Sequence, residues 1–403
     1  MSLVSDDVNY YAHGYNDSDK DKKIITILDS TLREGEQHPG VSFTTKQRIQ
    51  IAWMLDSFGV DQIEISPVIS DEHYISTKTI LKQGLRADII AHVRATKSDV
   101  DIAIDCGATW VATYMGISDV HLAAKLKMSR EEAKIRALEV ADYIKAHGLK
   151  ARFTMEDASR TEPEFLVEIC KEMNRRNMER ISIPDTVGIM RPRGMYNLVK
   201  LVHDNIDSSR TLLDVHCHND VGLALANGLA GCEAGASQIH TTIDGLGERT
   251  GIPNLAETAV ALTLVYKSSN RLRLHMLRDL SRTVSQYTNM DIPESKPIVG
   301  DSAYKHKAGT HLAAILKNPS AYEILDPKTV GNRRKIVFGE LAGKNGAAHL
   351  LSLLGLQTDE HDAKALARGM KELRMGDILE LYLDDRLERK ILNDASHDIQ
   401  VRE

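Results

Sequence analysis

The triplet His216-Cys217-His218 sits in the run Leu-Leu-Asp-Val-His-Cys-His at 212–218. Side chains alternate along a strand, so the two histidines point the same way and can reach one metal ion. A carboxylate from another strand end would complete a divalent site with positions left open for substrate, and Glu34 is the candidate. Zn, Mn, Mg and Co are not separated by these residue types. Two surface histidines would give the same triplet. What favours metal is the company the pair keeps at the ends of the other strands.

Short β-branched runs alternate with helical patterns along the chain. The strand candidates are residues 24–29, 62–66, 88–93, 110–115, 150–155, 180–185 and 212–218, then the run Gln-Ile-His-Thr-Thr-Ile that enters a Gly-rich loop. Between them, segments such as Thr-Lys-Gln-Arg-Ile-Gln-Ile-Ala-Trp space apolar residues by three and four, and two such segments end in Gly. Eight strands alternating with helices predict a parallel sheet, and the number eight favours a closed (β/α)8 TIM barrel over an open doubly wound sheet.

Active sites of such barrels form at the C-terminal strand ends. Those ends carry Asp29, Arg33, Glu34 and Gln37, then Glu64 and Ser66, then His92 and Arg94. Tyr114 follows, then Arg152, Thr154 and Glu156 on alternating positions, Asp185 and Thr186, and the histidine pair. The eighth strand runs into Gly-Leu-Gly-Glu-Arg-Thr-Gly at 245–251, where glycines let the backbone approach a ligand. A plain turn into the next helix would read the same way.

The chain has 403 residues, enough for a barrel of roughly 250 plus additions. We divide it into a flexible N-terminal tail at 1–22, a catalytic barrel at 23–269, and a C-terminal helical extension at 270–403 that could cover a barrel mouth, its own or a neighbour's. Helical signal is clearest there at 358–374. A net charge of −6 gives no reason to expect a nucleic acid partner or an anionic membrane, and no apolar run suits a membrane span or signal peptide. Cys106, Cys170, Cys217 and Cys232 match neither a disulfide framework nor a metal-binding pattern, so reduced thiols in a cytoplasmic protein are expected.

Three motifs in order, Asp-Ser-Thr-Leu-Arg-Glu-Gly-Glu-Gln at 29–37, His-Cys-His-Asn-Asp at 216–220 and the 245–251 loop, resemble the acyl-CoA condensing branch of the DRE-TIM metallolyases. That branch holds homocitrate, 2-isopropylmalate, citramalate and Re-type citrate synthases. The resemblance runs from about residue 24 to residue 350. It implies condensation of acetyl-CoA with a 2-oxo acid, on a divalent metal held by Glu34, His216 and His218 with Asp29 nearby. It makes Arg33 the group that stabilises charge on oxygen. Gln37, His92 and Thr186 join the oxo-acid contacts, and the loop residues Gly245, Gly247, Glu248, Arg249 and Gly251 receive acetyl-CoA. Glu156 becomes the acid/base group, with His311 and Tyr322 reaching over from the partner subunit of a homodimer.

Several positions resemble homocitrate synthases. The first motif reads Arg33-Glu34-Gly35 where most isopropylmalate synthases have Asp, and Arg152-Phe153-Thr154 matches a segment that recognises the distal carboxylate of 2-oxoglutarate. Arg152 pairing internally with Glu64 or Glu156 is the alternative. Ser118-Asp119-Val120-His121 and Lys125-Leu126-Lys127 instead resemble isopropylmalate synthases and archaeal homocitrate synthases. Oxaloacetate or phosphonopyruvate would satisfy the same arginine. A lyase of the HMG-CoA lyase type would carry a cysteine in the glycine loop, and residues 245–251 have none.

Overall fold

The structure is a computed structural model that describes Asn16 and residues 24–268, 271–338, 343–353, 359–370 and 379–382. Apart from Asn16, the expected tail at 1–22 lies outside the described residues. The chain divides into two compact units. The barrel unit runs to Arg273 and takes in residues 280–291, and the second holds residues 274–279 and those from 292 onward. The boundary predicted at 269/270 falls four residues early, and the return of 280–291 to the barrel unit was not foreseen.

All eight predicted strands form. They are β1 Thr26–Asp29, β2 Gln62–Ile65, β3 Asp88–Arg94, β4 Trp110–Gly116, β5 Lys150–Glu156, β6 Arg180–Asp185, β7 Leu212–Cys217 and β8 Gln238–Thr241. Each pairs in parallel with the next, and β1 pairs with β8 from Thr26↔Gln238 to Asp29↔Thr241, so the sheet is a closed barrel. The helices that follow β1 to β3, and the long one after β4, start on side-chain caps. Thr44 and Gln47 form a capping box before the helix Thr45–Phe58, as do Ser129 and Glu132 before Arg130–Ala146. The first ends on Gly59 at φ 106, a conformation costly for any residue with a Cβ.

The barrel interior is only partly apolar. Leu28, Ile90, Trp110 and Ala112 form one buried cluster. Glu64, Arg152, Arg180, Asp214 and His240 are also buried. Such charges are tolerated inside a fold only when paired and hydrogen-bonded, and the pairing sets the geometry of the site above them.

The second unit is not purely helical, which corrects the expectation for the extension. It carries a sheet of β9 Lys305–His306, β10 Lys335–Phe338 and β11 Leu379–Tyr382, in the order β11-β10-β9. Strands of two to four residues are too short to show an alternation in sequence. Helices Gly309–Ile315, Gly343–Leu353 and Glu360–Met370 accompany it, the last inside the predicted 358–374. The four cysteines are free and buried, and no helix among the described residues is long and apolar enough to cross a membrane.

Candidate active site

A cavity of about 510 Å³ opens at the C-terminal ends of the barrel strands. Its wall includes Arg33, Glu34 and Gln37 after β1, His92 on β3, and Arg152, Thr154 and Glu156 on β5. Thr186 after β6, His216 and His218 at the end of β7, and Glu248 and Arg249 after β8 also line it, while the loop glycines Gly245, Gly247 and Gly251 are not among its lining residues. His311 and Tyr322 belong to the second unit, where their rings stack at 3.9 Å between centroids.

Ligand atoms of Glu34, His216 and His218 all lie within 4.8 Å of one another, and all three residues are buried. Burial, and for His216 also the neighbouring His218, pushes both imidazoles below their ordinary pKa, so they are neutral and can donate lone pairs. The Glu34 carboxylate is aimed from both sides. Its Oε1 accepts the Glu248 backbone N–H at 2.9 Å, and its Oε2 accepts from Arg33 at 2.5 Å and stands 3.8 Å from His216 Nε2. Two neutral nitrogens and an oriented carboxylate, with His218 Nδ1 buried and without a protein partner, fit a divalent cation. Asp29 turns elsewhere: it accepts from the Thr31 backbone and from Thr241, and burial raises its carboxyl to about 7.

Glu64 is the hub below the triad. It accepts from Ser30 at 2.6 Å, from Arg33 Nε at 2.7 Å, and from Arg152. Burial alone would raise its carboxyl, but the two guanidiniums override this and hold it well below the usual range. Arg152 therefore has an internal partner, the alternative left open from sequence. Its Nη1 also faces His240 at 3.4 Å. His240 was not singled out from sequence. Its Nδ1 lies 3.2 Å from His216 Nδ1 and its Nε2 3.5 Å from Asp214, so it braces the His216 ring. His92 stacks flat on Tyr114 at 4.9 Å, and burial keeps its imidazole neutral.

The loop at 245–251 depends on its glycines. A Cβ on Gly247 would meet Glu34 Oε1 at 2.9 Å, and one on Gly251, at φ +75, would overlap the Gly245 carbonyl oxygen at 1.7 Å. Arg249 ties the loop down, pairing with both Asp220 oxygens and donating to the Thr186 carbonyl at 2.8 Å. The Thr186 hydroxyl accepts the Asp157 backbone N–H at 2.9 Å.

Glu156 has a partner that sequence reasoning missed. Lys125 donates to its two oxygens at 2.7 and 2.8 Å and lines the same cavity. A signal was available in the i, i+3, i+7 spacing of Ser118, His121 and Lys125, but its target was not.

A family model described as HMGL-like matches residues 24–284, and one described as homocitrate synthase post-HMGL domain-like matches residues 298–377. Homocitrate synthase AksA of Methanopyrus kandleri is 40% identical over 92% of this chain and 92% of its own length. A probable 2-isopropylmalate synthase of the same organism is 41% identical over 87% of this chain and 70% of its own length. Among solved structures, an HMG-CoA lyase from Acinetobacter baumannii in complex with coenzyme A and 3-methylmalate superposes with a TM-score of 0.60 at 18% identity, covering 68% of this chain and 93% of that one. The carboxyl transferase domain of Rhizobium etli pyruvate carboxylase gives 0.55 at 15%, over 74% of this chain and 52% of that one. These two likenesses bear on the fold alone. An HMGL-like match across the whole barrel, joined to identities of 40% over nine-tenths of two chains, settles the lineage: the protein belongs to the HMGL-like family, on the branch of the homocitrate and 2-isopropylmalate synthases.

Proposed function

We propose that this protein condenses acetyl-CoA with 2-oxoglutarate and water to give homocitrate and CoA. The observation that carries the choice of a diacid is a group of buried polar atoms without protein partners: Arg152 Nε and Thr154 Oγ1 on β5 and Ser182 Oγ on β6. All three residues line the cavity. Buried donors left bare are costly, so they favour a ligand rich in oxygen at this wall over an aliphatic tail. The match of residues 298–377 to the homocitrate synthase post-HMGL domain supports the same reading.

Glu34, His216 and His218 would hold a divalent cation, which when bound supplies Lewis-acid polarisation of the 2-oxo group and a template for its neighbouring carboxylate. Arg33 commits Nε and Nη1 to Glu64 and Glu34, and no described residue accepts from its Nη2. That nitrogen is placed to donate to the oxygen on which negative charge develops. Thr186 holds the oxo-acid carboxylate, with Gln37 and His92 among the remaining contacts. The Gly245–Gly251 loop receives the thioester, and Glu156 takes the acetyl methyl proton. His311 and Tyr322 of a second copy complete the acid/base set in a cytoplasmic homodimer.

A second reading, 2-isopropylmalate synthesis, draws on the internal Arg152–Glu64 pair, which leaves Arg152 less dependent on a substrate carboxylate. Thiol release from acetyl-CoA across a panel of 2-oxo acids decides between them. The expected order puts 2-oxoglutarate first. A greater kcat/KM for 2-oxoisovalerate than for any diacid would overturn the homocitrate assignment.

The shared site has its own test. Mixing an inactive Glu34→Ala chain with an inactive His311→Ala chain should regenerate one intact site per heterodimer, or about a quarter of wild-type activity after random exchange of a two-fold dimer. No recovery despite verified subunit exchange would place each site within one chain.

A further inference from the structure

Asp214 and His216 share one face of β7, two residues apart, and the pairing of Val215 with Ile239 sets His240 of β8 beside them. All three side chains are buried, and they stand in line. His216 Nδ1 lies 3.2 Å from His240 Nδ1, and His240 Nε2 faces Asp214 Oδ2 at 3.5 Å. The other Asp214 oxygen accepts from Arg180. Burial opposes ionisation of Asp214, but the Arg180 guanidinium and His240 outweigh it and hold the carboxyl below its ordinary range. The line therefore ends on an anion. Burial, with the Arg152 guanidinium nearby, keeps His240 neutral.

Two neutral ring nitrogens facing each other at 3.2 Å share one proton, and which ring supplies it decides what His216 can do. His216 turns Nε2 toward Glu34, at 3.8 Å, so Nε2 must carry the lone pair if the residue is to bind a cation. The proton then sits on Nδ1 and is donated to His240 Nδ1. His240 in turn carries its own proton on Nε2, and that proton needs an acceptor. Two groups face it. Arg152 Nη1, at 3.4 Å, is a donor and cannot serve. Asp214 Oδ2 is an acceptor, and otherwise a buried oxygen without a partner.

We infer that His240 and Asp214 are positioning residues that fix the tautomer of His216, so that its Nε2 meets Glu34 and His218 with a lone pair. This rests on the metal reading above. The opposite order of protons runs from Arg152 through His240 and puts the His216 proton on Nε2, closing the site to a cation. Asp214 selects between the two orders. The choice also sets the far side of the cavity. With a proton on His240 Nε2, Arg152 has no acceptor there and keeps Nη1, as well as its unpartnered Nε, for a ligand. The carboxylate that prepares the metal end thus leaves the guanidinium on β5 open.

The test is calorimetric titration with manganese ion alone, free of substrate. Wild type is compared with Asp214→Asn, His240→Leu, His240→Asn and the double variant Asp214→Asn/His240→Asn. The amide of Asp214→Asn keeps its oxygen on Arg180 and turns its nitrogen toward His240, which reverses the line. His240→Leu removes the acceptor of the His216 proton. The amide oxygen of His240→Asn falls near the place of Nδ1 and still accepts that proton. Asp214→Asn and His240→Leu should bind manganese about 10–100-fold more weakly, as for loss of an outer partner of a metal ligand. His240→Asn should recover most of the loss, and adding Asp214→Asn to it should change nothing further, because the line is already cut there. A merely structural contribution of Asp214 would act in both backgrounds. Urea midpoints in chelator identify the folded variants, and the comparison of Leu with Asn at 240 carries the test if Asp214→Asn does not fold. Wild-type affinity in folded Asp214→Asn, or a His240→Asn chain as weak as His240→Leu, overturns the assignment. A wild type that binds no manganese overturns the metal reading and this inference together.

Discussion

A His218→Ala chain is expected to fold, to retain almost no bound divalent ion after dialysis, and to lose turnover. His218 follows β7 at the rim, and its Nδ1 has no protein partner, so its removal breaks no internal hydrogen bond there. Loss of an outer partner of a metal ligand already costs roughly 10–100-fold in affinity or activity, and loss of a ligand itself should exceed that. Metal content per chain and calorimetric titration read the ion directly, apart from activity. Treating wild type with a chelator should give the same loss, restored on adding metal back. Full activity in rigorously metal-free wild type would sink the metal proposal. A His218→Ala chain that retained tight binding would remove that residue from the ligand set.

Glu64→Ala should cause the largest loss of stability in the barrel. Glu64 is fully buried, and its loss leaves two guanidiniums, Arg33 and Arg152, without their shared carboxylate. Breaking a buried pair from one side costs about 3–5 kcal/mol, because the remaining charge is stranded. Arg152→Met should cost less, since Glu64 keeps Arg33 and Ser30. Shifts in the urea midpoint, measured in chelator for both variants, check the order. A Glu64→Ala chain as stable as wild type, or more stable than Arg152→Met, would show that the hub is not structural. The folded-state pKa of Glu64 is depressed, so its contribution is present above the ordinary carboxylate pKa. It fades as pH falls toward the depressed folded value.

The strands and strand-end residues were legible because period-two alternation is local: His216 and His218 share a face wherever the strand goes. The same holds for Arg152, Thr154 and Glu156, which line one cavity. What could not be read was which partner a charge takes once the ring closes. Arg152 and Glu64 are 88 residues apart in sequence and meet across the barrel interior. Lys125 lies in a segment whose composition reads as a solvated surface, and its role depends on where β5 ends. His240 looked like one polar residue in a strand, and it is the register of β7 against β8, with Val215 opposite Ile239, that sets it beside His216. The small sheet of the second unit was missed because β9 has two residues and β10 four.

The seam between β1 and β8 joins residues more than 200 apart in the chain, from Thr26↔Gln238 to Asp29↔Thr241. Contacts of that sequence separation carry a loop-closure cost that local contacts do not, and chains rich in them fold more slowly. Glu34 comes just after the first strand of the seam, and the Glu248 N–H that aims its carboxylate comes just after the last. A nascent chain thus releases Glu34 and both histidines from the ribosome before the amide that orients the carboxylate has emerged. The oriented ligand set matures in the same event that completes the ring. Metal uptake during refolding would therefore time the final closure of the barrel, separately from the formation of its helices.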